Sequence, residues 1–399
     1  MTKTMDYLTK KLKQMSKQNL FNSVKMTRPN KNHFDLSHDV KLSLNMGELV
    51  PILCMETIPG DKFNISAESL LRFAPLTAPV MHRMDVYIHY FFVPNRVLWP
   101  NWEKFITNTG GIAPAFPTVE ISEGSYTPLC DYLGLPTPPA GSTPEYVNAM
   151  PFAAYQKIYN EYYRDQNLAI EATWQLDDGL NNINNFRNLR KRCWEHDYFT
   201  AALPFAQKGN PVELPIGQIG TNVPVYLNNG GTDTELQGNP LPVDVIGQND
   251  PDSPENNLYA QTKGLAMEST LINDLRRAFK LQEWLEKAAR GGSRYIENIL
   301  AHFGVKSSDK RLQRPEYITG TKSPVIISEV LNTTGTEDAA QGEMAGHGIS
   351  VTSGRNGTYY CEEHGYIIGI MSVMPKTAYQ QGIPKHFTKT RDPFQYFWP

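Results

Sequence analysis

The apolar positions of this chain follow a strand period in some stretches and a helix period in others, and one stretch carries the strand period on both faces at once. In DVYIHYFFVPNRVLWPNWEKF, residues 85–105, Val86, Ile88, Tyr90 and Phe92 would share one face of a strand while Tyr87, His89, Phe91 and Val93 share the other. Both faces are apolar or aromatic. A strand with one face in water alternates apolar with polar, so this one is expected to be covered twice, by its own core and by a second layer. Pro94 and Asn95 signal a turn, and Trp99 and Trp102 follow closely, which puts the second layer beside an aromatic-rich loop.

Simple alternation predicts a half-buried strand in DLSHDVKLSLNMG, where Val40, Leu42 and Leu44 alternate with Asp39, Lys41 and Ser43. LVPILCMETIPG reads as a strand ending in a Pro-Gly turn, and KSPVIISEVLNTT and GYIIGIMSVMP read as strands near the end of the chain. Helical spacing appears in YQKIYNEYYRDQNL, residues 155–168, with Ile158, Tyr159, Tyr162 and Tyr163 on adjacent rows. It is clearest over 269–303. There STLINDLRRAFKLQEWLEKAAR is stopped by Gly291 and Gly292, and a shorter helix follows with Tyr295, Ile296, Ile299, Leu300 and Phe303 at helical spacing. Between these elements, residues 107–151 are rich in Pro, Gly, Ser and Thr and predict a long loop, and residues 207–263 predict a loop or small projecting subdomain.

Composition narrows the class. With 40% hydrophobic and 20% charged residues the 399-residue chain can bury a large core, and length alone would suggest two or three domains. All-β folds with long insertions depart from that rule. Pro and Gly number 29 each, beside 20 Tyr and 17 Phe, a profile of strands joined by long ordered loops. Cys54, Cys130, Cys193 and Cys361 are scattered without paired spacing and read as free thiols of a reducing compartment. No apolar leader is present and the longest apolar run, residues 366–374, is too short for a bilayer, so no membrane insertion is expected and the chain is expected to be made in a cytoplasm.

The formal net charge of -3 excludes a global attraction to nucleic acid, so any basic surface must be local. Residues 1–32 supply one: Lys3, Lys10, Lys11, Lys13, Lys17, Lys25, Arg28 and Lys31 stand against a single acid, Asp6. Such clusters bind phosphates through charge and counterion release without reading sequence. If the arm is helical, Met5, Leu8, Leu12 and Met15 form an apolar stripe that would suit a protein partner instead. Two further basic sets are Arg187, Arg190, Lys191 and Arg192, and Arg276, Arg277, Lys280, Lys287 and Arg290.

Signals for catalysis are thin. Cys193 with His196 and Cys361 with His364 have the spacing of zinc half-sites, and short pairs like these also arise by chance. Asp177-Asp178 and Glu362-Glu363 are adjacent carboxylates, which usually mark solvated turns, whereas a glycosidase needs two carboxyls across a cleft. No nucleophile elbow, phosphate loop or HExxH occurs, and no cofactor or metal is expected.

Five blocks together carry a family likeness: FNISAESLLRFAPLTAPVMHRMDVYIHYFFVPNRVLW, YNEYYRDQNL, HDYFTAALPFAQKG, INDLRRAFKLQEWLEKAARGGSRYIENILAHFGVKSSDKRLQRPEYITG and EEHGYIIGIMSVMP. In this order, over about residues 19–398, they resemble the major capsid protein of the microviruses, small single-stranded DNA bacteriophages, in particular the gokushovirus-like group. The resemblance implies a non-enzymatic, mainly β fold: an eight-stranded jelly roll, the viral β-sandwich, with long loop and helical insertions, in one domain over 33–399 behind the 1–32 arm. It implies a virion protein, assembled in the bacterial cytoplasm into a T=1 icosahedral shell around circular single-stranded DNA. Its partners would be copies of itself, the packaged DNA, internal minor and scaffolding proteins and a host receptor. In that family the chain continues past the segment matching TRDPFQYFWP, so the last strand of the roll and a C-terminal arm are not accounted for by these 399 residues.

Site residues follow. The basic arm residues are expected on the DNA side of the shell. Phe91, Trp99 and Trp102, where the doubly apolar strand meets its loop, are expected at a subunit interface, since large desolvated aromatics dominate contact energies. The second cover of that strand would come from inserted helices of the same subunit or from a neighbour. The 207–263 block, with Tyr226, Asn228, Asn229 and Asp233, is expected to form a surface protrusion for host attachment. The competing readings are a β-sandwich carbohydrate-binding protein or glycosidase, and a secreted adhesin, against which the absent leader argues.

Overall fold

The computed structural model describes residues 31–74, 80–108, 111, 113–212, 225–229, 232–235, 258–260, 272–331, 344–352, 354, 357–379 and 382–397. The chain separates into two compact units, Met1–Ser43 and Leu44–Pro399. In the first, residues 31–43 form neither helix nor strand, although Val40 and Leu42 sit in an alternating sequence. Alternation becomes a strand only where a neighbouring strand supplies the other half of the ladder.

The second unit is mainly β. Its strands in chain order are β1 (Val50–Thr57), β2 (Lys62–Ile65), β3 (Ser69–Arg72), β4 (Met84–Pro94), β5 (Thr118–Ile121), β6 (Glu145–Asn148), β7 (Leu180–Asn181), β8 (Val225–Asn229), β9 (Thr232–Glu235), β10 (Leu258–Ala260), β11 (Glu316–Pro324), β12 (Ile326–Leu331), β13 (Met344–Thr352), β14 (Gly357–Tyr360) and β15 (Gly365–Pro375). The principal sheet is antiparallel in the order β1-β15-β4-β11, so the first and last strands are neighbours. Such adjacency requires distant parts of the chain to meet. Pro51 lies on the edge strand β1 beside a register shift, where its missing N–H interrupts the ladder least.

β4 and β15 are the central strands and bury almost every residue. Their alternation sorts two cores onto opposite faces. Val86, Ile88, Tyr90 and Phe92 of β4 join Ile367, Met371 and Val373 of β15 in one. Phe91 and Val93 join Tyr366, Ile368 and Ile370 in the other. Gly369, paired with Tyr90, gives the tyrosine ring room: a Cβ there would lie 2.7 Å from it.

The first core is closed by elements of the smaller sheets β3-β13-β12 and β2-β14, through Ile65, Leu71, Phe63 and Tyr359. The second is closed by an insertion between β4 and β11. Its centre is the helix Met150–Ile158, which starts with Pro151 in the first turn, where no donor is lost, and runs on as a π-helical turn, Tyr159–Tyr163. This helix therefore begins earlier and ends sooner than the spacing over 155–168 predicts, with Arg164 already extended. The 107–151 block also holds more order than its Pro and Gly content predicts: β5, the helix Pro128–Tyr132 and β6 lie within it. Buried Val119 and Ile121 with half-buried Val147 anchor it to the second core. Two helices, Ile272–Arg290 and Tyr295–Phe303, follow the expected periodicity, the second ending at Gly304 with φ 68°. Within 207–263, β8, β9 and β10 form a separate antiparallel sheet of their own.

Candidate functional site

The doubly apolar strand is covered on both sides by its own chain. Phe91 is 1% and Trp99 0% exposed, enclosed by Phe152, Tyr155, Ile158, Phe186 and the rest of the second core. Trp99 follows the short helix Asn95–Leu98, packs on Phe105 and Phe116, and donates its indole N–H to Asp178 Oδ1 at 2.7 Å. These two rings are therefore packed inside their own subunit, where the inserted helix supplies the cover. Trp102 is half-buried beside Phe105 and His364 and keeps part of its ring at the surface.

The insertion is fastened by buried polar groups as well as apolar ones. Tyr155 donates its hydroxyl to Leu49 O and accepts from Arg190 N, both at 2.9 Å, while Gln156 Nε2 donates to Phe186 O at 2.7 Å. Arg314 Nε meets Glu161 Oε2 at 2.9 Å, and its guanidinium also reaches Asp309 at 3.3 Å, tying the π turn to the segment before β11. Buried donors and acceptors matched in this way fix one packing of the layer, since an unmatched one is costly. The basic set at 187–192 belongs to this fastening. Arg190 Nε donates to Gln156 Oε1 at 2.7 Å, and Arg192 stacks 4.1 Å from the Tyr87 ring.

Along the same face of β4 the interior turns polar, through His89 and Tyr87 to Asp85. His89 Nδ1 lies 2.8 Å from the Tyr163 hydroxyl, and burial, helped by the Arg192 charge, brings its pKa down to about 4. Buried Asp85 pairs with Lys322 at 3.1 Å and Lys376 at 3.7 Å. Glu195 accepts from Lys376 and Tyr87. Burial works to raise the Glu195 carboxyl, but those hydrogen bonds and the charges of Lys322 and Lys376 outweigh it and hold the group down at about 2. Burial first, then the Glu195 bond, pushes the Tyr87 hydroxyl up to about 12. None of these contacts was visible in the sequence, because Glu195, Lys322 and Lys376 are separated by long stretches of chain and share no motif.

Several members of the pairs that resembled catalytic or metal groups have partners within the chain. Asp178 receives Trp99 and Asn101. Glu363 pairs with Arg96 at 2.5 Å and Glu362 with Lys310. Cys361 is fully buried while His364 stands against the Trp102 ring. Among the described residues no three potential metal ligands gather, the four cysteines are free thiols, and no helix is long and apolar enough to cross a membrane. Of the basic arm, Lys3, Lys10, Lys11, Lys13, Lys17, Lys25 and Arg28 lie outside the described residues, and Lys31 is exposed. Tyr226, Asn228 and Asn229 fall on β8 and Asp233 on β9, where the register sets Asn228 opposite Asp233.

A mainly β chain whose insertions wrap its own sheet, in which Asp178, Glu362 and Glu363 pair with other side chains of the same chain, and which leaves many large apolar side chains at its surface has the build of a structural subunit. The family described as "Capsid protein (F protein)" matches residues 22–399, and the chain belongs to that family. It is 34% identical to "Capsid protein VP1" of Bdellovibrio phage phiMH2K, covering 98% of this chain and 77% of that protein. It is 32% identical to "Capsid protein VP1" of Chlamydia phage 1, over 96% and 77%, and 30% identical to that of Spiroplasma virus 4, over 97% and 78%. These relatives are structural proteins of microvirus shells rather than enzymes.

Proposed function

We propose that this chain, a capsid protein, closes into an icosahedral T=1 shell around circular single-stranded DNA, with the 1–32 arm on the inner side and the 207–263 block projecting outward for host attachment. The observation that carries the shell role is the family match over residues 22–399. The neighbouring first and last strands and the division of β4 and β15 between two cores support a jelly-roll reading of the fold. Eight basic residues against one acid support the inner position of the arm. The internal minor and scaffolding proteins of such a phage would meet the same inner surface, with assembly in the host cytoplasm.

The arm is tested by the salt dependence of single-stranded DNA binding. If six of its cations meet phosphates, at about -0.7 each, the logarithmic salt slope should be near about -4 per chain. A chain lacking residues 1–32 is expected to lose most of that slope. An unchanged affinity and slope would remove the arm from the DNA side and favour a protein partner on Met5, Leu8, Leu12 and Met15.

A further inference from the structure

We infer that residues 193–202 form a strap across one end of the principal sheet, held there by charge, and that it opens as a unit while the sheet stays folded. The inference concerns the folded subunit and does not rest on the shell reading. Three strands bring the receiving groups together: β4 starts with Met84 and Asp85, β11 carries Lys322 opposite Tyr87, and β15 runs out into Lys376, whose amide donates to Arg83 O at 2.7 Å. The two lysines lie between two carboxylates. On the inner side Asp85 Oδ2 is 3.1 Å from Lys322 Nζ and 3.7 Å from Lys376 Nζ. On the outer side Glu195 Oε1 is 3.8 Å from Lys322 Nζ, and Glu195 also accepts from Lys376 and from the Tyr87 hydroxyl. The footing of the two acids differs. Asp85 is rooted in the central strand with its side chain 2% exposed, whereas Glu195 is 38% exposed and belongs to a segment that joins no ladder.

The main chain does little to hold that segment. Cys193 N donates to Tyr163 O at 3.1 Å and Lys208 N to Leu285 O at 3.4 Å, and among the described residues between them no main-chain hydrogen bond leaves the segment. Its turn is closed internally, by Asp197 Oδ1 accepting from the amides of Phe199 and Thr200. Besides Glu195, what crosses to the exit of β15 is Asp197 Oδ2, which accepts from the Thr377 hydroxyl at 2.7 Å and the Tyr379 hydroxyl at 2.6 Å, with the Phe199 and Tyr379 ring centres 4.6 Å apart. Apolar burial adds little, since Tyr198 and Phe199 are 90% and 61% exposed. Release of Glu195 strands no buried charge: Asp85 keeps both lysines, and the lysines, 47% and 33% exposed, keep water. Ties of this kind weaken with salt, and elements held by them open at free energies below that of global unfolding. Against the opposing effect of burial, the Lys376 and Tyr87 bonds and the lysine charges hold Glu195 at about 2, and the Thr200 amide, then the Tyr379 and Thr377 hydroxyls, lower Asp197 as well. Both acids therefore protonate more readily in the open strap, so the clasp is complete above the ordinary glutamate value of 4.5 and is lost as pH falls towards 2. The strap is the path of the chain into the 207–263 block, and its opening loosens the root of that block with the sheet intact.

Glu195→Gln with Tyr379→Phe weakens both ties of the strap and leaves its internal turn as it is. In the unassembled chain at pH 7, amide hydrogen exchange over 193–202 should quicken about tenfold or more, and chymotryptic cleavage after Tyr198 should quicken with it, while β4 and β15 keep their wild-type protection. The wild-type strap should loosen in the same way, after correction for intrinsic exchange, between about pH 4.5 and 3, and the variant should change little over that range. Unchanged exchange over 193–202 in the variant means that other contacts hold the strap. Protection lost together in the strap, β4 and β15 means that the strap belongs to the cooperative core. Either result overturns the inference, and so does a wild-type strap that acid leaves as protected as it is at pH 7.

Discussion

His89 sits where the apolar interior of β4 gives way to charge, and its protonation state couples the subunit to pH. Its pKa falls from about 6.5 to about 4 on folding, because burial and the Arg192 cation both disfavour the imidazolium. The unfolded chain therefore binds a proton more readily than the folded one below pH 6.5, so the stability contribution is complete above pH 6.5 and is lost as pH falls towards 4. At about 1.4 kcal/mol per pKa unit the loss is at most on the order of 3 kcal/mol. Melting of the unassembled subunit should drop between pH 6.5 and 4, and His89→Gln should flatten that drop; parallel profiles would mean that His89 is solvated. Trp99 offers a second test. With no exposed surface and a bond to Asp178, Trp99→Ala should cost about 3–5 kcal/mol in the unassembled subunit. Denaturant titration of monomers checks this, and an effect confined to assembled particles would place Trp99 at a subunit interface.

At the scale of elements, among the described residues of 207–263 the strands β8, β9 and β10 pair with one another and not with the strands of the other sheets. Replacing residues 228–257 by a short Gly/Ser linker is expected to leave particle formation intact and to abolish adsorption to host cells. Failure to form particles would make the segment part of the shell. The elements that could be read from the sequence are those whose pattern is intrinsic: β15, Gly365–Pro375, matches the run GYIIGIMSVMP, and Ile272–Arg290 ends where Gly291 and Gly292 predict. What misled the reading is what depends on partners. Val40 and Leu42 alternate without a ladder to join, whereas Val119 and Ile121 form a strand inside a Pro-rich block because β6 and β7 pair with it. The doubly apolar character of β4 was evident, but which surface supplied the second cover required the Met150–Ile158 helix to be seen in place. The Glu195, Lys322 and Lys376 ties, like the exposed aromatics of 382–397, have no signature in local spacing.

At the scale of the whole molecule, the subunit encloses its own sheet and leaves apolar side chains on its outer surfaces, including Phe387, Phe394 and Phe397. For a member of a capsid-protein family that division of labour is coherent: the interior makes each copy rigid, and the exterior makes copies adhere. The central claim is that this chain builds shells, and the most direct measurement is the mass and shape of the purified protein, by light scattering together with negative-stain microscopy. Closed, uniform particles of megadalton mass are the expected result, whereas a population of monomers or small oligomers under conditions where the subunit is folded would contradict the account.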